Sequence, residues 1–182
     1  NILWIGTSKA GLIKLNLSTG ATQFYSTANK TLSSNSVRKL LLDKNGLLWI
    51  GTQKGINILN PLNGKVMVYQ HDPDNIKSIS QNSVYEIFAD NHGSIWIGTY
   101  YGGANVVFPN LSAFEVFKSS NFKNSLSSNI ISGIREDAEQ NLWIGTEAEG
   151  LNLYHQQSKT FRTFKNNPAN PNSLSSNLVK TI

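Results

Sequence analysis

The residues of this sequence best suited to contact a ligand are two adjacent tyrosines, Tyr100 and Tyr101. A tyrosine ring joins a flat apolar face to a polar hydroxyl, and this combination suits a sugar, which has apolar C–H faces and a rim of hydroxyl groups. Further candidate ligand-binding residues are charged and stand in other short variable segments: Lys9, Arg38, Lys54, Glu147 and Glu149. The alternative is that all of these are ordinary turn residues or contact another domain.

Catalytic chemistry is not indicated by the sequence. The histidines occupy unrelated positions, at His71, His92 and His155, and no Ser-His-Asp or paired-carboxylate arrangement accompanies them. Three aspartates recur at a constant interval, which favours a structural role as acceptors for turn N–H groups: Asp43, Asp90 and Asp137. Since cysteine is absent and no loop is rich in oxygen ligands, we expect no metal site, no cofactor and no enzymatic activity.

The strongest signal is an internal repeat that must position these residues. All four tryptophans stand in the sequence Trp-Ile-Gly-Thr, at spacings of 45, 47 and 47 residues: Trp4, Trp49, Trp96 and Trp143. A second marker, Ser-x-Asn, recurs half a repeat away and ends in Asn35, Asn82, Asn129 and Asn177. Two markers with one period indicate a repeat architecture, and we expect these asparagines to hold the start of each inner strand in place.

Each repeat contains four short strand signals separated by turn sequences, and no segment has a sustained helical period. Four strands in about 47 residues is the size of a β-propeller blade. The sequence therefore predicts an all-β fold over residues 1–182, with four four-stranded blades in repeats of approximately 1–46, 47–93, 94–140 and 141–182. We expect the tryptophans to be buried between blades, where glycines allow close approach of the next blade: Gly6, Gly51, Gly98 and Gly145.

The sequence does not begin and end at the boundaries of a blade. The chain starts at the second strand of a repeat and ends in a first strand, at residues 178–182. Either the blades form an arc of a larger ring, such as a seven-bladed one, or the last strand pairs beside the first and closes four blades. We favour the arc. The inner strands vary near the expected central channel, at Arg38–Lys39, Tyr85–Glu86, Ser132–Gly133 and Lys180–Thr181.

Composition excludes several classes of protein. Of the 182 residues, 39% are hydrophobic and 15% charged, and the formal charge of +5 comes from scattered basic residues. A nucleic-acid groove would cluster them, so we expect no nucleic-acid partner. No stretch is apolar enough to span a membrane. Because Asn1 falls inside a repeat, we interpret the sequence as a piece of a longer protein.

The repeat resembles the two-component regulator propeller repeat. The clearest copy runs from Ser127 to Asn152, except that Gln140 stands where the family has a glycine, and a typical linker runs from His71 to Ser80. The resemblance implies that the segment belongs to the periplasmic sensor domain of a hybrid two-component protein. It further implies that this parent protein is a homodimeric histidine kinase that responds to oligosaccharides. The alternatives are a scaffold for protein interaction or dimerisation, and a propeller lyase.

Overall fold

The computed structural model describes residues 1–109, 114–121 and 124–182. These residues form fifteen strands in antiparallel sheets and no helix, which confirms the predicted all-β fold. We call the sheets blades 1 to 4. The strands are β1 (Ile2–Gly6), β2 (Leu12–Asn16) and β3 (Thr22–Tyr25) in blade 1; β4 (Val37–Leu42), β5 (Leu48–Thr52), β6 (Gly55–Leu59) and β7 (Val66–Tyr69) in blade 2; β8 (Val84–Ala89), β9 (Ile95–Thr99), β10 (Ala104–Val107) and β11 (Glu115–Phe117) in blade 3; and β12 (Ile131–Glu136), β13 (Leu142–Thr146), β14 (Leu151–His155) and β15 (Thr160–Phe164) in blade 4.

The core of the protein lies between blades, not within them. Three hydrophobic clusters each join residues of one blade to the inner two strands of the next. Trp96, which is 1% exposed, packs with Ile131 and Ile134 of blade 4. A Cβ atom on Gly98 would lie only 2.7 Å from Cγ2 of Ile131, so this glycine permits the close approach of the two blades. Trp49 and Gly51 are buried in the same way between blades 2 and 3, whereas Trp4 and Trp143 are half-buried.

The hairpin between the first two strands of each blade is held by its aspartate. In blade 2, Oδ1 of Asp43 accepts the backbone N–H groups of Asn45 and Leu47, each at 2.9 Å. The aspartates of blades 3 and 4 accept equivalent bonds, and this confirms their predicted structural role. The other carboxylate oxygen accepts a bond that the sequence reading did not foresee, from the indole Nε1 of the repeat tryptophan.

The link from one blade to the next is held by two sets of asparagines. The Ser-x-Asn asparagines accept a backbone N–H of the preceding linker at 2.7–2.8 Å, as expected. A second set, buried on the third strand of blades 2 to 4, accepts the N–H of the serine two residues before the first set: Asn57, Asn105 and Asn152. Both sets fix the linker over the blade that follows it.

Blade 1 has three strands, whereas the sequence predicted four in every blade. In the described part of the chain, β1 pairs only with β2, and Ile2 on it is 44% exposed. The segment 178–182 lies instead beside blade 4, where the N–H of Val179 donates to the carbonyl of Thr146 at 2.9 Å. This matches the bond from Val37 to Thr7 at the junction of blades 1 and 2. The segment thus occupies the position of a further inner strand, as in an open arc.

Candidate functional site

A β-bulge near the start of each complete inner strand directs one side chain out of the ladder. The register of β4, β8 and β12 shifts across their second residues, which have no partner on the neighbouring strand. These residues are Arg38, Tyr85 and Ser132. A bulge commonly re-aims a side chain near a functional site. Since the bulges of adjacent blades lie side by side, the residues of one blade can contact those of the next.

Four side chains from blades 2 and 3 form one continuous stack, which we call the tyrosine stack: Arg38, Tyr85, Tyr100 and Tyr101. The guanidinium carbon of Arg38 lies 4.3 Å from the centre of the Tyr85 ring. The Tyr85 and Tyr100 rings stack with centres 5.4 Å apart and planes at 25°, and the Tyr101 ring meets Tyr100 edge-on at 4.2 Å. A cation–π contact at an exposed site stabilises by about 0.5–1 kcal/mol.

The turn that carries the two tyrosines is fixed by its backbone. The N–H of Tyr100 donates to the carbonyl of Ser83 at 2.9 Å, which ties the β9–β10 turn to the start of β8. Gly102 approaches the linker so closely that a Cβ atom there would lie 2.5 Å from Oγ of Ser80. Tyr101 has φ of 69°, a left-handed conformation that is an outlier for a bulky residue. Such strain is found preferentially at functional positions.

A charged pair of blade 4 and the segment after it acts electrostatically on the stack. Nζ of Lys180 lies 2.6 Å from Oε1 of Glu147, and the negative charge of Glu147 acts on Tyr100. The Tyr100 hydroxyl donates to the Tyr101 oxygen at 3.4 Å, and this bond raises the pKa of Tyr100, with the neighbouring tyrosines and Glu147 acting in the same direction. The Tyr100 phenol is therefore neutral at physiological pH and can both donate and accept hydrogen bonds.

The structure brings together only part of the predicted ligand-binding set. Arg38, Tyr100 and Tyr101 belong to the stack, and Glu147 lies beside it. Glu149 instead pairs with Lys165 on the linker after blade 4, at 2.5 Å. Within the described residues, no ion pair or ring contact joins Lys9 or Lys54 to the stack, because these lysines lie in the turns of blades 1 and 2.

Sequence reasoning missed three contributors, Tyr85, Ser83 and Lys180, as binding residues. Tyr85 occupies the same register in its repeat as Arg38, and this equivalence was the available signal. Ser83 accepts the bond from Nη1 of Arg38 to its Oγ at 2.6 Å, which holds the guanidinium over the Tyr85 ring. The variable inner-strand residues thus divide. The bulge residues Arg38 and Tyr85 belong to the stack, whereas Lys39 and Glu86 form an ion pair of 2.6 Å between blades 2 and 3.

The tyrosine stack is an open surface, with Tyr101 62% exposed. Four hollows among the described residues, of about 370–410 Å³ each, are lined by residues outside the stack. The histidines lie apart from the stack: Nδ1 of His71 bonds the Ile79 carbonyl and that of His155 the Asn141 amide oxygen, while His92 lies in the β8–β9 hairpin. Among the described residues, no His, Asp and Glu groups cluster as metal ligands, and no helix could cross a membrane.

Comparisons with solved structures show propellers across nearly the whole chain. The extracellular domain of BT4673 from B. thetaiotaomicron, described as a hybrid two-component system, is 22% identical with a TM-score of 0.79, over 99% of this chain and 23% of that one. That of BT3049 from the same organism is 20% identical with a TM-score of 0.58, over 98% and 28%. Virginiamycin B lyase from Staphylococcus aureus is 19% identical with a TM-score of 0.67, over 92% and 53%.

These likenesses show the fold, and this chain spans about a quarter of the length of the two extracellular domains. A comparison with curated proteins finds no match. The family comparison is specific: the model of the two-component regulator propeller matches three times, at residues 31–54, 78–101 and 125–148. Each match covers a Ser-x-Asn marker, an inner strand and a Trp-Ile-Gly-Thr strand, which are the elements that build the interface between blades. The chain therefore contains three copies of the two-component regulator propeller repeat.

Proposed function

We propose that this chain is an arc of blades from the ligand-sensing domain of a hybrid two-component protein, and that its tyrosine stack binds an oligosaccharide. The observation that carries the proposal is the continuous stack of Arg38, Tyr85, Tyr100 and Tyr101. The scaffold repeats about every 47 residues. Among the described residues, such a stack is built at one junction, from positions where the repeats differ. On repeat scaffolds, binding surfaces arise where the repeats differ.

The chemistry of the stack supports a sugar over other small molecules. The ring of Tyr101, which is the most exposed of the stack, provides an apolar face for the C–H surface of a pyranose. The neutral hydroxyl of Tyr100 can bond the hydroxyl groups of the sugar. Arg38 retains N–H donors beyond the one bonded to Ser83, and these can bond ring or hydroxyl oxygens. The mixed charges of Arg38, Glu147 and Lys180 favour a neutral or weakly charged ligand.

The proposed setting is the periplasm, with the parent protein a homodimeric histidine kinase in the inner membrane and the remaining blades and domains of the sensor as partners. The match to the two-component regulator propeller family and the likeness to extracellular domains of hybrid two-component systems support this setting. In this mechanism the segment is non-catalytic. The ligand binds two arrangements of the dimer with unequal affinity, and this difference shifts the population of the kinase states.

The test is calorimetry of the intact sensor domain with a panel of glycan oligosaccharides. We expect at least one oligosaccharide to bind, and the changes Tyr85→Ala and Tyr100→Ala each to weaken its affinity about tenfold or more, because each removes a ring that supports the exposed ring of Tyr101. Phe24→Ala is the matched control, since Phe24 is an exposed aromatic on the outer strand β3. No binding across the panel, or equal losses in the control, would contradict the proposal.

A second candidate function is a scaffold for protein interaction or dimerisation, which the openness of the stack favours. An exposed aromatic cluster beside an arginine is also the composition of a protein-interface hot spot. Under this alternative, alanine substitution of Tyr100 and Tyr101 shifts the sedimentation coefficient of the sensor domain and leaves its sugar affinity unchanged. The two readouts on the same variant therefore separate the two functions.

A further inference from the structure

A hollow of about 370 Å³ lies between blades 3 and 4, at the end of the sheets opposite the tyrosine stack. It is lined by the β8–β9 and β12–β13 hairpins, by the end of β10 and by the residues after β14. We call it the hairpin hollow. Its volume falls in the range of small-molecule sites. Because the hairpin and the stack are at opposite ends of the blades, the two places would bind separate ligands.

The hollow contains a backbone outlier at Gln140. The hairpins of blades 2 and 3 have Gly46 and Gly93 at this position, with φ of 76° and 84°. Gln140 adopts the same left-handed conformation with φ of 65°, although a side chain disfavours it. The backbone carbonyl of Gln140 accepts a hydrogen bond from Nε2 of Gln156 at 2.9 Å. A glycine at this position could accept the same bond, so the bond does not explain the glutamine side chain. The strain therefore points to a use for the side chain, which lines the hollow.

The carboxylate of Glu136 joins blade 3 to a residue that lines the hollow, Gln156. Oε2 of Glu136 accepts the N–H of Asn91 at 2.9 Å, which joins the hairpin of blade 3 to the inner strand of blade 4. Oε1 of the same carboxylate accepts Nε2 of Gln156 at 3.3 Å. These bonds hold both sides of the hollow at a fixed separation. A site supported in this way loses little conformational entropy on binding.

The equivalent place between blades 2 and 3 is filled. There the ammonium of Lys44 lies directly over Gly93, so close that a Cβ atom on this glycine would be 2.2 Å from Nζ. At the junction of blades 3 and 4, Asn91 stands in the position of Lys44, and its shorter side chain cannot fill the same space. The hairpin hollow is thus a property of this junction and not of the repeat.

The lining of the hollow defines the chemistry of its ligand. Blade 3 contributes the apolar residues Phe108 and Pro109 as well as His92 and Ser94. Blade 4 contributes three further polar groups, the carboxylate of Glu139 and the side-chain amides of Gln140 and Gln157. Within the described residues, these three polar groups make no hydrogen bond or ion pair of their own. A carboxylate accepts two hydroxyl donors, and an amide donates and accepts, so together they match vicinal hydroxyls. None of the described residues that line the hollow is Lys or Arg, which disfavours anionic ligands.

We propose that the hairpin hollow is a second binding site, which takes one unit of a neutral saccharide with its C–H face on Phe108 and Pro109 and its hydroxyls on Glu139, Gln140 and Gln157. This site is independent of the tyrosine stack and does not require that the stack bind sugar. Two sites at opposite ends of adjacent blades would allow one chain to hold two branches or two chains of a glycan.

The test is an NMR titration of the 182-residue chain with cellobiose and with maltose, each up to about 50 mM. We expect one of them to shift the amide signals of Gln140 and Gln157, and glucuronate at the same concentration to leave them unshifted. Gln140→Gly should weaken binding about tenfold and leave the thermal stability equal or higher, because glycine relieves the left-handed strain.

Three results would overturn the proposal: no shift with either disaccharide, equal shifts with glucuronate, or unchanged affinity in Gln140→Gly. The last would mean that Gln140 is only a tolerated turn residue. Tyr100→Ala serves as the control, since it should leave the shifts at the hollow unchanged. If sugar binds at the hollow but not at the stack, only the proposed function of the stack fails. If sugar binds at the stack but not at the hollow, only the second binding site fails.

Discussion

The indole Nε1 of Trp96 donates a hydrogen bond of 2.9 Å to Oδ2 of Asp90, which lies six residues earlier in the hairpin after β8. The same aspartate closes its hairpin through Oδ1, so one carboxylate joins the turn to the residue that fills the interface between blades. The pair recurs as Trp49 with Asp43 and Trp143 with Asp137, at 2.9 and 3.0 Å. This bond explains why both residue types return with the period of the repeat.

Replacement of Trp96 by phenylalanine should lower the free energy of unfolding by about 2–4 kcal/mol. The change removes a hydrogen bond to a buried carboxylate and part of a fully buried ring, and both losses destabilise. Guanidinium chloride unfolding followed by circular dichroism would measure the difference. Trp143→Phe is the matched comparison, because its indole is partly exposed and the loss should be smaller. Equal stability of Trp96→Phe and the parent protein would refute the role of the pair.

The carboxyl group of Asp137 should make the free energy of unfolding depend on pH in the acidic range. Partial desolvation raises its pKa, but hydrogen bonds from Asn141, Trp143 and Glu139 outweigh this and bring the pKa below the ordinary value of 3.8. A lowered native pKa means that the contribution to stability is complete above pH 3.8 and is lost as pH falls through the native value. In Asp137→Asn this part of the pH dependence should disappear.

Denaturant unfolding of both proteins between about pH 7 and pH 2.5 measures this effect. The difference in unfolding free energy between Asp137 and Asp137→Asn should be constant at neutral pH and shrink below pH 3.8. A difference that stays constant down to the lowest pH would show that the native pKa is not lowered.

Substitution of Gly98 by alanine should destabilise the protein by about 1–3 kcal/mol, because the new methyl group would overlap Ile131 across the blade interface. Gly133→Ala provides the control. This glycine lies on the inner strand β12, and a Cβ atom there meets nothing closer than 3.7 Å. Thermal unfolding should therefore separate the two variants clearly. A similar melting temperature for both would argue against tight packing between blades 3 and 4.

Tyr101→Gly should stabilise the fold and weaken the binding of ligand to the tyrosine stack. The residue has φ of 69°, which glycine adopts without strain, and the gain is about 1 kcal/mol. The same change removes the most exposed ring of the stack. Thermal unfolding and calorimetry on one variant measure both effects. Gly102→Ala tests the support of the turn separately, since its methyl group would overlap Ser80, Thr99 and Gln81.

Much of the fold follows from local signals within one repeat. The strand order, the aspartate turns and the Ser-x-Asn asparagines were predicted because each involves neighbours on one hairpin or linker. The four strands expected for blade 1 were not all found, because segment 178–182 lies against β13 and not against β1. Three residues of the predicted ligand-binding set are not part of the stack: Lys9, Lys54 and Glu149. They lie in the equivalent turn of their blades, but an equivalent position in different blades does not bring side chains into contact.

By itself, the sequence determined the repeat, the all-β architecture and the burial of the Trp-Ile-Gly-Thr strand, because a contact that recurs every 47 residues leaves the same pattern in every copy. Only the tertiary structure decided that Tyr85 lies between Arg38 and Tyr100. Arg38 and Tyr85 hold the same position in the repeats of different blades. Because this position has a different residue in each repeat, no recurring sequence pattern predicts their contact. Their contact is set by the bulges and by the packing of adjacent inner strands, which act only after the blades have assembled.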